Sequence, residues 1–165
     1  MPKFSVVELN LSTAHLIGHV IAQSPAKEDA ITTVEKNGYK FVENGLIVGL
    51  GADGCIANYD ADKHSQPCLV YTDELITGPF DSLDQFAHEV VNGEVYVRAL
   101  PLYLNDSFTT DNFAGEKGTY AKVVNGVLTL TETLDADVLF IAKATTLPSR
   151  KAAYEFTFIG SAPRA

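Results

Sequence analysis

Thr119-Tyr120-Ala121-Lys122-Val123-Val124, then Asn125-Gly126, then Val127-Leu128-Thr129-Leu130-Thr131 is the stretch that decides the fold. β-branched and apolar residues alternate with polar ones on both sides of an Asn-Gly pair. Asn and Gly both accept positive φ, and a two-residue type I′ turn matches the right-handed twist of the strands it joins. The segment therefore predicts an antiparallel hairpin. The same dipeptide recurs at Asn37-Gly38, Asn44-Gly45 and Asn92-Gly93. Around the first two of these, Ile31 to Lys36, Tyr39 to Glu43 and Leu46 to Leu50 read as a three-strand antiparallel meander.

Working outward, the second half stays strand-dense. Val138 to Ala142 is continuously apolar, as expected for a strand covered on both faces. Tyr154, Phe156 and Phe158 share one face of a last strand, with Glu155 and Thr157 on the other. Glu94 to Arg98 alternates, and Leu100 to Leu104 continues it with Pro101 at an edge or bulge. Cys68 to Tyr71 is a short strand that follows a polar loop over residues 51 to 68.

One helix is predicted over residues 82–91, with Ser82 as N-cap, Gln85 completing a capping box, and Leu83, Phe86, Ala87 and Val90 forming one apolar stripe. Asn92-Gly93 then reads as that helix's C-terminus, since Gly favours the left-handed conformation that ends helices. The beginning of the chain is less regular. Phe4 to Leu11 suits a strand or an extended arm, Ala14 to Ala22 has no clean period, and Ser24-Pro25-Ala26-Lys27-Glu28-Asp29 reads as a polar break. The expected organisation is an N-terminal arm or first strands over residues 1–30 and a β-rich domain over 31–165. The fold class is mainly β, an antiparallel β-sandwich or small β-barrel carrying one short helix and a less regular N-terminal segment.

Composition bounds function. The chain has 165 residues, 46% hydrophobic and 20% charged, values of an ordinary globular protein. Twelve basic residues against twenty-one acidic ones leave a net charge of −9, which repels phosphates and argues against direct nucleic-acid binding. No apolar run approaches the roughly 20 residues of a membrane helix, and Met1-Pro2-Lys3-Phe4-Ser5 has no signal-peptide core, so neither a membrane partner nor secretion by the usual route is expected.

Candidate chemistry is sparse. Asp60, Asp62 and His64, near Asp53, Cys55 and Cys68, bring together ligand types, but the stretch has neither an EF-hand's turn glycine and final Glu nor zinc-finger spacing, so a solvated loop is expected and no metal. Isolated Cys55 and Cys68 read as free or buried thiols. His15 and His19 stand at i, i+4, yet Leu16 occupies the place of the Glu a zincin needs. Gly49-Leu50-Gly51-Ala52-Asp53-Gly54 has the form Gly-x-Gly-x-x-Gly but follows strands and enters a polar loop, the wrong context for a dinucleotide. Asp81 and Asp84 suit a helix N-terminus, and Glu89 and Glu94 suit a solvated surface. No serine sits in a nucleophile elbow. No catalytic residue and no cofactor are assigned.

Two pairs of phrases carry a family likeness. Leu69-Val70-Tyr71-Thr72-Asp73-Glu74-Leu75-Ile76-Thr77-Gly78-Pro79 with Tyr96-Val97-Arg98-Ala99-Leu100-Pro101-Leu102-Tyr103 is the first. Asn105-Asp106-Ser107-Phe108-Thr109-Thr110-Asp111-Asn112-Phe113 with Tyr120 to Thr129 is the second. Over residues 40 to 160 the chain resembles the capsid decoration (cement, or head auxiliary) proteins of tailed bacteriophages. The resemblance implies a structural, non-enzymatic virion protein, made in the host bacterial cytoplasm, whose partners are the major capsid protein and, by analogy, two further copies of itself in a trimer. A tail or receptor-binding accessory module is the alternative, and a small hydrolase the second one. Candidate capsid or subunit contacts are Phe4, Val6 and Leu9, in a segment from Pro2 to Ala30 that would order on binding, and Phe108 and Phe113 in a loop from Asp106 to Gly118. The other reading of that loop is that its two phenylalanines pin it to the core.

Overall fold

Among the described residues strands, as the turn chemistry requires, make up nearly all of the regular structure. The computed structural model describes residues 7–10, 22–36, 38–71, 89–147 and 151–160. In chain order these form β1 (Val7–Asn10), β2 (Ala22–Lys27), a 3₁₀ turn (Glu28–Ala30), β3 (Val34–Lys36), β4 (Tyr39–Phe41), β5 (Ile47–Leu50) and β6 (Ile56–Asn58). There follow β7 (Cys68–Val70), β8 (Glu94–Pro101), β9 (Ser107–Thr110), β10 (Tyr120–Val124), β11 (Val127–Thr131), β12 (Val138–Thr146) and β13 (Ala152–Phe158).

Two bodies of sheet result. β1, β9, β13, β12, β10 and β11, in that order, make a six-stranded antiparallel sheet. β2, β6, β5, β7 and β8 close into a barrel, with β3 and β4 as a separate two-stranded ribbon. Closure needs both a long antiparallel pairing of β2 with β8 and a single parallel pairing, Ala26 with Ile56. The fold is mainly β, a small closed barrel packed with a sheet.

Each body has its own core. Between sheet and barrel lie Phe108, Phe140 and Phe156, all without exposure, and Phe108 meets Phe140 edge-on at 5.8 Å. Such offset aromatic contacts add to the area they bury. The barrel interior holds Ala26, Val48, Ile56, Val70, Val95, Val97 and Ala99. Alternation links the two: Ile47 and Leu69 join the aromatic core, while Val48 and Val70, one residue along β5 and β7, face into the barrel.

The Asn125-Gly126 hairpin stands as expected. Val124 pairs with Val127, and φ is 50° at Asn125 and 80° at Gly126. Lys36 pairs with Tyr39 across Asn37-Gly38. Tyr154, Phe156 and Phe158 line one face, the last two buried. Val138, Leu139 and Phe140 are buried together, but Ile141 is exposed, so double coverage ends there.

Four expectations need correction. The meander does not form: β4 pairs with β3, whereas β5 pairs with β6 and β7. At Asn44-Gly45 only Gly45 has positive φ, and its N–H donates to Val70 O at 3.0 Å. A reversal with positive φ at one residue does not have the twist of a type I′ hairpin, so it delivers the chain to a new partner. Asn92-Gly93 is a hairpin turn and not a helix end: φ is 55° and 78°, and Val91 and Glu94 exchange backbone hydrogen bonds at 2.8 and 3.2 Å. Of the helix expected over 82–91, residues 82–88 lie outside the described residues, and Glu89 and Val91 are bridge partners of Phe41 and Glu94.

The stretch from Ser24 to Asp29, expected to be a polar break, contains most of β2. Pro25 lies opposite Tyr96, and proline fits a strand where its nitrogen points away from the ladder. Finally, the loop over 51–68 contains β6, a three-residue strand anchored by Ile56.

Candidate functional site

A groove of about 1140 Å³ opens between the β5–β6 connection, the loop after β6, and the connections flanking β10 and β11. Its walls carry Asp53, Asp60, His64, Lys122 and Asp137 around Tyr59. These include the ligand types singled out in the sequence, and their hydrogen bonds show what they do. Asp53 Oδ1 accepts the Cys55 N–H at 3.0 Å, and Asp60 Oδ1 accepts the Asp62 N–H at 2.9 Å. Both are side-chain turns of the kind Asp makes with backbone two residues on.

His64 is almost fully buried, and its Nδ1 accepts the Asp60 N–H at 3.0 Å while the His64 backbone N–H donates to Asp60 O at 2.8 Å. The ring packs against β5 at Gly49. A Cβ on Gly49 would sit 2.2 Å from His64 Cγ, so the first glycine of the Gly-x-Gly-x-x-Gly pattern makes room for this imidazole. That pattern is the β5–β6 hairpin connection, closed by Gly51 N–H to Cys55 O at 2.9 Å. Among the described residues no three His, Cys, Asp or Glu side chains converge as a metal site.

The thiols are separate in character. Both are free; Cys55 is half-buried, and burial pushes the Cys68 thiol up to about 11. Burial, and then the charge of Asp60, raises the Tyr59 phenol above its ordinary value, which keeps it a neutral hydroxyl on the groove wall.

The expected contact residues divide. Phe4 and Val6, like His15, His19, Asp81 and Asp84, lie outside the described residues. Leu9 pairs through its backbone with Phe108. Phe108 is fully buried at the centre of the aromatic core. Phe113 packs edge-on against Tyr154 at 5.0 Å and is partly buried, so it pins its loop to that core. The same loop is tied down by Lys151, whose Nζ lies 2.6 Å from Oδ2 of the buried Asp111.

An apolar surface appears elsewhere. Phe41 bridges Glu89, and the Val90 N–H donates to Lys40 O at 2.9 Å; that antiparallel register sets Tyr39 opposite Val91. Val91 in turn faces Glu94, two residues from Tyr96 on β8. Tyr39, Val91 and Tyr96 are 59%, 59% and 62% exposed, which is high for side chains of this size. All three stand on hydrogen-bonded backbone. On the next residue of β4, the Lys40 ammonium is held charged by its hydrogen bond and ion pair with Glu28. The signal was present in the sequence: Tyr96 falls on the polar side of the alternation that buries Val95 and Val97, where an aromatic is out of place.

Compared with protein-family models, with curated proteins and with solved structures, the chain has no match.

Proposed function

We propose that this protein is a structural decoration protein of a tailed-bacteriophage head, which binds the outer capsid surface and stabilises the shell by bridging capsid subunits. The single observation that carries the reading is the patch of Tyr39, Val91 and Tyr96. Two tyrosines and a valine held outward on paired backbone supply contact area at little cost in side-chain entropy, and Tyr is enriched where interfaces draw their energy. The phrase from Tyr96 to Tyr103 that resembles the phage proteins begins at this patch and runs along β8. The acidic remainder of the surface favours solubility.

Stabilisation follows from linkage. A module that binds the assembled lattice and not its separated subunits shifts the equilibrium toward the shell by mass action. Assembly of the module as a trimer would multiply that effect through avidity.

The test mixes purified protein with undecorated phage heads and measures co-sedimentation. Saturable binding is expected, and Tyr39→Ala with Tyr96→Ala should weaken it by roughly thirtyfold or more if both are hot spots. Failure to bind heads at any concentration, with retention on a glycan matrix instead, would assign the chain to a receptor-binding accessory module. Turnover of a hydrolase substrate, lost on carboxylate substitution, would overturn the non-enzymatic reading.

A further inference from the structure

We infer that Asn92 is a site of spontaneous covalent modification, deamidation through the Gly93 amide, and that the fold shields Asn44 and Asn125 from the same reaction. The chemistry requires only water. The Gly93 backbone nitrogen, on losing its proton, attacks Cγ of Asn92 and closes a succinimide ring. As the N–Cγ bond forms, the Cγ–Nδ2 bond breaks and the side-chain nitrogen leaves as ammonia, carrying a proton. Water then adds to one of the two ring carbonyls, giving aspartate or isoaspartate at position 92. Any Asn-Gly pair is chemically competent, because glycine has no side chain to obstruct the attack. The backbone around each pair decides whether the geometry is reached.

The described Asn-Gly pairs differ in that respect. At Asn44 the attacking nitrogen is engaged: Gly45 is buried and its N–H donates to Val70 O at 3.0 Å, while Asn44 O accepts Asn112 Nδ2 at 2.8 Å. At Asn125 the peptide is clamped from both sides. Thr32 Oγ1 donates to Asn125 O at 2.6 Å, the Ile47 N–H donates to Gly126 O at 2.8 Å, and Asn58 Oδ1 lies 2.5 Å from where a Gly126 Cβ would sit. Gly126 is buried.

Asn92 and Gly93 are both exposed, and nothing lies within 4 Å of a Cβ placed on Gly93. Gly93 O accepts the Glu28 N–H at 2.9 Å, and Val91 and Glu94 bond to each other, but among the described residues no backbone acceptor engages the Gly93 nitrogen. Ring closure at Asn92 therefore needs only a rotation within one turn, whereas at Asn44 and Asn125 it needs local opening of packed structure first. The isoaspartate product inserts a methylene into a two-residue turn and adds a negative charge beside Glu94.

The experiment ages the full chain in mildly alkaline buffer and follows the three asparagines by peptide mapping with mass spectrometry, in parallel with a sample held in urea. In native protein Asn92 should convert on the order of tenfold or more faster than Asn44 and Asn125, the factor that a modest opening free energy imposes. In urea the three rates should converge, since the reacting dipeptide is the same. Equal rates in the native protein, or faster conversion at Asn125, would overturn the inference. So would a tenfold spread that persists in urea, because flanking sequence and not the fold would then set it.

Discussion

The barrel and the six-stranded sheet are made from the same alternating pattern, yet their interiors hold different side chains. Aromatic rings fill the space between the layers, where Phe108, Phe140, Phe156 and Phe158 meet one another at 5.6–6.3 Å. Inside the barrel the buried cluster is Ala, Val, Ile, Leu and Cys. A five-stranded barrel encloses too little width for rings, whereas two packed layers stand about 10 Å apart and accommodate them. Side-chain volume thus reports which kind of enclosure a strand belongs to, where alternation alone does not.

The sharpest way to test that contrast is to truncate each core. Phe108→Ala removes a ring that touches two others and should cost about 3–5 kcal/mol of unfolding free energy in a denaturant titration. Ile56→Val in the barrel should cost about 0.5–1.5 kcal/mol. Equal losses would mean that the two interiors are packed alike after all.

Cys68 provides a chemical measure of the barrel wall. Its thiol is pushed from 9.0 to about 11 by burial, so the folded state holds the proton more tightly than the unfolded one. The contribution of that group is fully present below pH 9 and is lost as pH rises through about 11, amounting to about 2–3 kcal/mol. Stability of the wild type should accordingly fall more steeply across that window than stability of Cys68→Ala. At neutral pH, thiol reagent should label half-buried Cys55 and spare Cys68 until urea is added.

Overpacking offers an intermediate effect. Gly49→Ala places a methyl where the His64 ring lies and should cost about 1–3 kcal/mol, with release of the Asp60–His64 turn seen as faster amide exchange at Asp60. The smallest change is expected outside both cores. Tyr96→Ala should alter stability by no more than about 0.5 kcal/mol, since the side chain stands in solvent; a larger loss would show that the patch supports the barrel.

How much was legible follows from strand length. β10, β11 and β13 run five to seven residues, long enough for period-two alternation to show, and all were readable. β6 has three residues with one buried, Ile56, and no alternation can be read from one position. β2 was obscured by Ser24, Pro25 and Lys27; with Ala26 buried and Lys27 exposed, its composition is that of a loop, and only pairing with β8 makes it a strand. Asn-Gly marks a reversal at Asn125-Gly126, but the dipeptide alone does not tell a hairpin from a helix end, as at Asn92-Gly93, nor whether one residue or both take positive φ, the distinction that separates Asn44-Gly45 from Asn92-Gly93 and Asn125-Gly126. The groove's acidic residues make the backbone turns their loop composition suggests, whereas the two readings of the Phe108 stretch could not be told apart in sequence because its polar neighbours Asp106, Ser107 and Thr110 are themselves buried.

β5 and β7 are a party wall. Because neighbouring residues on each strand serve opposite rooms, Ile47 one and Val48 the other, neither room can be emptied without tearing down the partition. Melting should accordingly occur as one event rather than two, and a gene cut between the halves would yield no spare part that stands alone, only two fragments each missing a side of its house.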